Sequence, residues 1–313
     1  MNELLTSAAV SLRKAALNEE AKNYILNNRV LFEILKKAAD RFIGGEDLNE
    51  TALKVTKHNE IGYRSGIEFM GENTRTVKEA HDATAEFLNI CERIKIDGLN
   101  AAVSLDLSHI GLSISKALCM ENLHQICSAA ITENIEVTIS AESTDKTDAV
   151  LNTYLRAAED FNNLSITLQA YLHRTKDDIL DIAKSDGRIR LVKGAFDTPA
   201  NLSIPRGQKL CERYLEYLDG LLSSGHRCAI ATHDAYIQQQ AEQMIKIYKP
   251  TANIYEFESL YGIQTDQLLS LKEKGHPVKV YFVYGKEWYL YLCNRIAEHP
   301  LSLFTALNDI VNG

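Results

Sequence analysis

From about residue 62 onward, short β-rich runs alternate with longer segments in which apolar residues recur at helical spacing. The predicted strands are residues 66–70, 102–107, 136–141, 165–170, 189–193, 228–232, 253–258 and 278–282. Residues 145–160 and 209–222 are typical of the helices between them. Strands that alternate with helices through short loops favour a parallel sheet. Eight strands in about 240 residues match the count and size of a (β/α)8 TIM barrel.

Several predicted strands alternate between apolar and polar residues. Residues 103–108 read VSLDLS, residues 137–142 read VTISAE and residues 166–169 read ITLQ. Strands of a parallel sheet covered by helices are usually apolar throughout. We therefore expect the apolar face to meet the helices and the polar face to line the barrel, which indicates a ligand-holding mouth. An open or antiparallel sheet with a solvated face is the alternative, but the intervening helices argue against it.

The composition is that of an ordinary globular protein of 313 residues, with 45% apolar and 24% charged residues. Ala-, Leu-, Lys- and Glu-rich residues 1–60 are predicted to form helices packed on a barrel domain of residues 61–313. The net charge is 34 − 42 = −8 and no basic block is present, which argues against a nucleic-acid partner.

The sequence also bears on location. No apolar run approaches the roughly 20 residues needed to span a bilayer, and the N-terminus lacks the basic and apolar regions of a signal peptide. The six cysteines are scattered without a CxxC pair, as in a reduced cytoplasmic protein. We expect a cytoplasmic protein with no integral membrane segment, which leaves room for peripheral contact with a membrane.

The last predicted helix, residues 286–298, carries an aromatic stripe that includes a cation. Trp288, Tyr291, Arg295 and Glu298 are spaced by three, four and three residues, and Asn294 lies beside them. An arginine held by Glu298 suits a carboxylate ligand. A purely structural ion pair explains the same spacing equally well.

Two other strand ends carry candidate chemistry. Residues 189–196 place Arg190 and Lys193 before Gly194, and such cations with backbone N–H groups suit phosphates or an electron-rich ring. His233 and Asp234 end the next strand and, together with Asp106 and His109, form a weak candidate for a metal site. The constellation usually needs further His and Asp residues at other strand ends, whereas the other strands here end mainly in Ser, Gln, Lys, Glu or Tyr. No GxSxG, GxGxxG or P-loop occurs.

Taken together, these segments resemble the catalytic domain of the proline dehydrogenase family, from about residue 61 to residue 300. The resemblance rests on residues 190–196 (RLVKGAF), 231–234 (ATHD), 255–262 (YEFESLYG) and on Val280, Tyr281, Tyr284, Gly285, Trp288, Tyr291 and Arg295. It implies a distorted (β/α)8 barrel that binds FAD at the carboxyl ends of its strands, and no metal.

The resemblance also assigns cofactor contacts. It places Arg190 beside the flavin N5 and Gln169 against the isoalloxazine ring. Glu258 stands next to the flavin, where many members of the family have Gln. The remaining cofactor residues that it implies are Lys193, Gly194, Ala195 and Phe196 along the dinucleotide, and Thr232 and His233 at its phosphate and adenosine side.

The implied substrate shell departs from the family pattern at three positions. The family grips the proline carboxylate with two adjacent arginines and a lysine that is paired with an aspartate. Here the arginine pair is Asn294 and Arg295, the lysine position is Asp106, and the partner aspartate is Ser140. Three pocket residues that cover the substrate ring are retained: Leu260, Tyr281 and Tyr291.

This change alters the charge of the pocket. The family set sums to +2, whereas Arg295 and Asp106 sum to 0. Charges about 4 Å apart interact by roughly 4 kcal/mol at an effective dielectric of 20. An ionised Asp106 would therefore oppose the carboxylate of free proline, unless Asp106 is protonated or paired with Arg295.

We therefore expect an FAD-dependent dehydrogenase of amino-acid metabolism that acts on a CH–NH bond through Arg190, Asp106, Tyr281 and Arg295. The flavin takes hydride from the carbon next to a ring nitrogen and a pyrroline-type imine forms. The favoured substrate is a proline derivative with a masked carboxylate, including a carrier-bound one, or another cyclic amine. The alternatives are an ordinary L-proline dehydrogenase with a quinone acceptor, a silent flavin-binding protein and a metal-dependent hydrolase.

Overall fold

Eight parallel strands form a closed barrel in the computed structural model, which describes residue 11 and residues 18–298. The strands follow one another around the barrel in chain order, and β1 pairs in parallel with β8 to close it. This arrangement confirms the predicted (β/α)8 barrel. The strands are β1 Arg64–Phe69, β2 Ala101–Leu105, β3 Val137–Ile139, β4 Leu164–Gln169, β5 Ile189–Val192, β6 Cys228–Ala231, β7 Tyr255–Leu260 and β8 Val278–Tyr284.

Helices precede the barrel and connect its strands. Before β1 come α1 Glu19–Asn27, α2 Arg29–Asp40 and α3 Leu48–Glu60; then follow α4 Val77–Asp97, α5 Lys116–Ile131, α6 Thr147–Ala157, α7 Thr175–Ile182, α8 Gln208–Ser223, α9 Ala235–Tyr248, α10 Thr265–Glu273 and α11 Trp288–Glu298. Within the described ranges, no helix has the length and apolar character needed to cross a membrane. The six cysteines all lie within residues 18–298, where they are buried and form no disulfide.

Local sequence signals fix where several helices begin and end. Thr76 and Glu79 form a reciprocal capping box at the start of α4, and Gly98 ends that helix in the left-handed conformation. Asp234 caps α9 by accepting hydrogen bonds from the backbone N–H groups of Tyr236 and Ile237 at 2.9 and 3.2 Å. The cap places the Asp234 carboxylate at the carboxyl end of β6.

The alternation along the strands separates two environments. Val103 and Leu105 of β2 are fully buried in the apolar core cluster, which also takes in residues of α4 and α5. Ser104, between them, contacts Arg190 of β5 across the interior at 3.2 Å. The polar face therefore lines the barrel, as the sequence predicts.

The barrel floor is filled by ion pairs. Lys279 of β8 contacts Glu256 of β7 at 2.6 Å, and Glu256 contacts Arg64 at 3.1 Å and Arg188 at 3.6 Å. Arg64 and Arg188 also lie 3.5 and 3.3 Å from Glu136. Cations and carboxylates here take the place that packed aliphatic side chains usually hold in such barrels.

Helix α2, which precedes the barrel, packs against α11 and β8. Trp288 of α11 is 1% exposed and meets Phe32 of α2 edge to face, with ring centroids 5.5 Å apart. The same apolar cluster includes Ala39 of α2 and Tyr281 of β8. Helices are present before the barrel as predicted, whereas the division at residue 60 stays a prediction. Residues 1–10, 12–17 and 299–313 of the two predicted domains lie outside the described residues.

Candidate active site

Arg190 lies at the centre of the barrel interior, where side chains from four other strands or strand ends converge on its guanidinium. Its Nε donates to Thr167 Oγ1 at 2.7 Å, and Nη2 donates to Ser140 Oγ at 3.0 Å. Nη1 donates to Ser104 Oγ at 3.2 Å and to Glu258 Oε1 at 3.3 Å. The plane of the guanidinium is thereby set by the barrel itself.

These contacts leave Arg190 with capacity for a ligand. A guanidinium has five N–H donors, and the four contacts use one on Nε, both on Nη1 and one on Nη2. Its carbon also lies 4.9 Å from the centroid of the Tyr281 ring. Burial alone would lower the pKa of Arg190, but Glu258 and Glu68 outweigh burial and the pKa lies above its ordinary value. The group is a permanent, oriented cation.

The loop after β5 forms a cradle beside this cation. Gly194 has φ +109°, and a Cβ there would lie 2.2 Å from the ring of Tyr171, so only glycine fits. Lys193 contacts the Asp234 carboxylate at 2.5 Å and keeps 23% of its side chain exposed. Ala195 and Phe196 continue the loop, with Phe196 36% exposed.

The end of β6 adjoins that loop. Thr232 follows the strand and its hydroxyl accepts a hydrogen bond from the Asp234 backbone N–H at 3.1 Å. His233 Nε2 accepts from the Leu260 backbone N–H at 3.0 Å. A lysine and a hydroxyl beside a glycine-shaped cradle are donors that fit the phosphates of a dinucleotide, and Arg190 fits an electron-rich ring.

A group of carboxylates occupies the opposite side of the mouth. Glu68 of β1 accepts hydrogen bonds from Ser140 Oγ at 2.8 Å and from the Tyr281 hydroxyl. Asp106 follows β2, and its pKa is raised well above the usual range by burial first and then by the charges of Glu68 and Glu142. Glu142 accepts from the Ser108 backbone N–H at 2.9 Å. Its surroundings therefore disfavour the ionised form of Asp106 relative to an ordinary aspartate.

Helix α11 carries the remaining substrate residues predicted from the sequence. The Arg295 guanidinium lies 5.1 Å from the Tyr291 ring centroid, and both side chains, like that of Asn294, are half-buried. The predicted Glu298 partner of Arg295 lies outside the side chains that are described.

The structure brings most predicted residues together. Tyr281, Ser140 and Glu258 all reach the Arg190 side chain, while Gln169 donates to the Glu142 backbone oxygen at 3.1 Å. The potential metal ligands do not converge. His109 is buried and stacks on Phe69 at 5.2 Å, with burial lowering its pKa to about 4. Across residues 18–298 no group of three or more His, Cys, Asp or Glu side chains could hold a metal ion.

Sequence reasoning assigned no site role to five contributors, Glu68, Ser104, Glu142, Thr167 and Lys279, although Ser104, Glu142 and Thr167 belong to the polar face that it placed inside the barrel. Each lies on or directly after a strand, and Ser104 and Thr167 occupy polar positions of the alternating pattern. The available signal was therefore the phase of the alternation. Extending this polar phase from Ser104 and Thr167 to the neighbouring strands indicates which side chains share the barrel interior.

The fold and these strand-end side chains define a barrel enzyme that binds a dinucleotide cofactor. Residues 52–299 match the family model described as proline dehydrogenase. The chain is 32% identical over 294 residues to proline dehydrogenase 2 of Bacillus subtilis (strain 168), covering 94% of each chain. It is 31% identical over 295 residues to proline dehydrogenase 1 of the same organism, covering 92% of this chain and 97% of the relative.

Solved structures agree on the fold. Proline utilization A (PutA) from Bdellovibrio bacteriovorus, inactivated by N-propargylglycine, superposes with a TM-score of 0.81 at 17% identity, over 95% of this chain and 37% of that one. The chain belongs to the proline dehydrogenase family. It is an FAD-dependent dehydrogenase that acts on the CH–NH group, as the sequence analysis predicts.

Proposed function

We propose that this enzyme oxidises L-proline to 1-pyrroline-5-carboxylate. FAD supplies the two-electron acceptor: hydride leaves the ring carbon next to nitrogen, the nitrogen loses its proton, and a C=N bond forms. Support comes from the names of the relatives and from the retained Leu260, Tyr281, Tyr291 and Arg295. We favour free L-proline over a substrate with a masked carboxylate because the raised pKa of Asp106 weakens the charge argument against free proline.

The observation that carries the proposal is the match of residues 52–299 to the proline dehydrogenase family, together with 32% identity to a proline dehydrogenase; the raised pKa of Asp106 removes the main objection to it. Burial and the charges of Glu68 and Glu142 favour its protonated form. A protonated carboxyl can donate a hydrogen bond to a substrate carboxylate, whereas an ionised one accepts only. With Asp106 neutral, Asp106 and Arg295 sum to +1 rather than 0, and the objection to free proline no longer holds.

We assign distinct tasks to the other residues. Arg295 binds the proline carboxylate, and Tyr281 and Tyr291 pack over the pyrrolidine ring. Arg190 would stabilise the negative charge that the flavin gains on reduction. Hydride leaves readily only from a neutral amine, and the carboxylate of Glu68, already hydrogen-bonded to Ser140 and Tyr281, is placed to accept the amine proton.

We further propose a quinone as electron acceptor and a cytoplasmic location with peripheral contact at a membrane. The family suggests the quinone, the cytoplasmic location is the expectation drawn from the sequence, and the sequence leaves room for the membrane contact. A floatation assay with quinone-containing vesicles tests the membrane contact, and proline-dependent reduction of the quinone in those vesicles tests the acceptor.

The test of the substrate is an anaerobic titration of the purified yellow protein with L-proline, followed by the flavin absorbance. Full bleaching at millimolar proline or below is the expected outcome. The Asp106→Asn variant, which mimics the neutral carboxyl, should bleach at proline concentrations within about threefold of the parent, because about 0.7 kcal/mol is a typical margin for a changed hydrogen bond. A yellow protein that stays oxidised contradicts the proposal.

The second candidate substrate is a proline derivative with a masked carboxylate, or a cyclic amine with a further cationic group. It is favoured by the three carboxyl groups of Glu68, Asp106 and Glu142 at one side of the mouth. If proline fails, the same titration with proline methyl ester and prolinamide tests it. Under this candidate, the Asp106→Lys, Asn294→Arg double variant should shift activity towards free proline.

A further inference from the structure

We propose that Glu258, held in place by Lys279, is a positioning residue that partly neutralises Arg190 and so lowers the reduction potential of the flavin. The proposal rests on the function proposed above, because it needs Arg190 beside the flavin. It also changes the role predicted for Glu258 from direct cofactor contact to action through Arg190.

The Glu258 carboxylate lies between two cations deep in the barrel. Its Oε1 is 3.3 Å from Arg190 Nη1, and its Oε2 is 2.9 Å from Lys279 Nζ. The exposed fractions of the three side chains are 4% for Glu258, 6% for Arg190 and 2% for Lys279. With so little water nearby, each charge acts on the others with little screening.

Lys279 is itself anchored from the barrel floor. It contacts Glu256 Oε1 at 2.6 Å, and Glu256 lies 3.1 Å from Arg64. Glu256 and Glu258 are two residues apart on β7, so their side chains lie on the same face, and Glu258 pairs in register with Lys279 of β8. A continuous chain of opposite charges therefore runs from the floor of the barrel up to Arg190.

The charge count predicts the sign of the effect. Arg190, Glu258 and Lys279 together carry +1; a glutamine at position 258 would leave +2. Two-electron reduction places negative charge on the flavin, so a larger nearby positive charge favours the reduced form and raises the potential. Glu258 therefore opposes reduction, whereas loss of Lys279 leaves its negative charge less compensated.

The experiment measures the flavin midpoint potential of the holoenzyme and of two variants. Glu258→Gln should favour the reduced flavin about tenfold, which for a two-electron couple is a shift of about +30 mV. Lys279→Met should shift the potential in the negative direction. A merely structural role would displace Arg190 in both variants and lower the potential in both.

Two further variants and one further measurement complete the comparison. Glu136→Gln removes a carboxylate of the same ion network at the barrel floor. It should shift the potential by no more than about a third of the shift in Glu258→Gln. Glu258→Asp keeps the charge and should restore most of the parent potential, which tests the idea even if Lys279→Met does not fold. The FAD dissociation constant of each folded variant is measured alongside.

An unchanged or more negative potential in Glu258→Gln overturns the inference. So does a Glu136→Gln shift as large as that of Glu258→Gln. A parent protein that binds FAD but is not reduced by proline or its derivatives instead contradicts the proposed substrate, while the potentials still decide the role of Glu258.

Discussion

Asp106 illustrates how surroundings decide the chemistry of a single carboxyl group. Its folded-state pKa lies above the ordinary 3.8 because burial and the charges of Glu68 and Glu142 disfavour ionisation. Between the ordinary and the raised pKa, the folded protein binds a proton that the unfolded chain has released. Stability attributable to this site therefore falls as pH rises through that window.

Asp106→Asn should therefore make the protein more stable than the parent at pH 8, since asparagine has no proton to lose. The advantage should vanish as pH falls below 3.8, where the aspartate is protonated in both states. Urea unfolding at several pH values checks this. Asp181→Asn, at an aspartate whose side chain is 67% exposed, is the control and should change little at any pH. A parent and variant of equal stability at pH 8 would count against a neutral Asp106.

At the scale of secondary structure, α2 and α11 form the unit that presents the predicted substrate residues. Trp288 begins α11 and packs on Phe32 of α2, while Tyr291 and Arg295 follow on the same helix. Ala39 of α2 is fully buried in the same cluster. The position of Arg295 therefore depends on how α2 packs against α11, far from it in sequence.

Phe32→Ala should loosen this packing and cost about 2 kcal/mol of stability, below the range for a fully buried phenylalanine because Phe32 is half-buried. Trp288 is the single tryptophan of the chain, so its emission reports on the interface directly and should shift to longer wavelength. Ile34→Ala, on the same helix at 38% exposure, should cost less than about 0.5 kcal/mol and leave the emission unchanged. Identical spectra for parent and Phe32→Ala would show that the contact does not hold α11.

For the whole molecule, the unusual feature is a barrel interior held together by charges. Burial alone would raise the pKa of Glu256, but Lys279, Arg64 and Arg188 outweigh burial and lower it below its ordinary 4.5. The stability that this carboxylate contributes is present above pH 4.5 and is lost as pH falls through the lowered folded-state pKa. Acid should therefore destabilise the protein by protonating Glu256 and weakening the ion pairs of the barrel floor.

Glu256→Gln should cost about 3–5 kcal/mol at neutral pH, because the buried Lys279 and Arg188 and the partly buried Arg64 lose a shared partner. Its stability should also fall less steeply in acid than that of the parent. Thermal unfolding from pH 7 down to about pH 2 measures both effects, because the contribution of Glu256 is lost only below pH 4.5. Glu33→Gln, which breaks an exposed pair with Arg29, should cost no more than about 0.5 kcal/mol. A loss of similar size in both variants would contradict the importance of the floor network.

Much of the fold follows from local pattern. The repeating strand and helix segments are enough to predict the eight-stranded barrel, because each depends on short-range periodicity. The polar phase of residues 103–108 likewise predicts an occupied interior. Contacts inside the barrel are another matter: Arg190 meets Ser104 across 86 positions of sequence and Glu258 across 68. No local pattern indicates which inward side chains become neighbours.

The sequence by itself determined the barrel, the cation at position 190, the glycine at 194 and the departures at Asp106, Ser140 and Asn294. Only the tertiary structure decided what those departures mean. Whether Asp106 repels a carboxylate depends on Glu68 and Glu142, which belong to other strands, and whether Glu258 contacts the cofactor or Arg190 depends on Lys279 across the β7–β8 pair. The physical reason is that charge interactions and burial depend on distances in space, which arise only when the barrel closes.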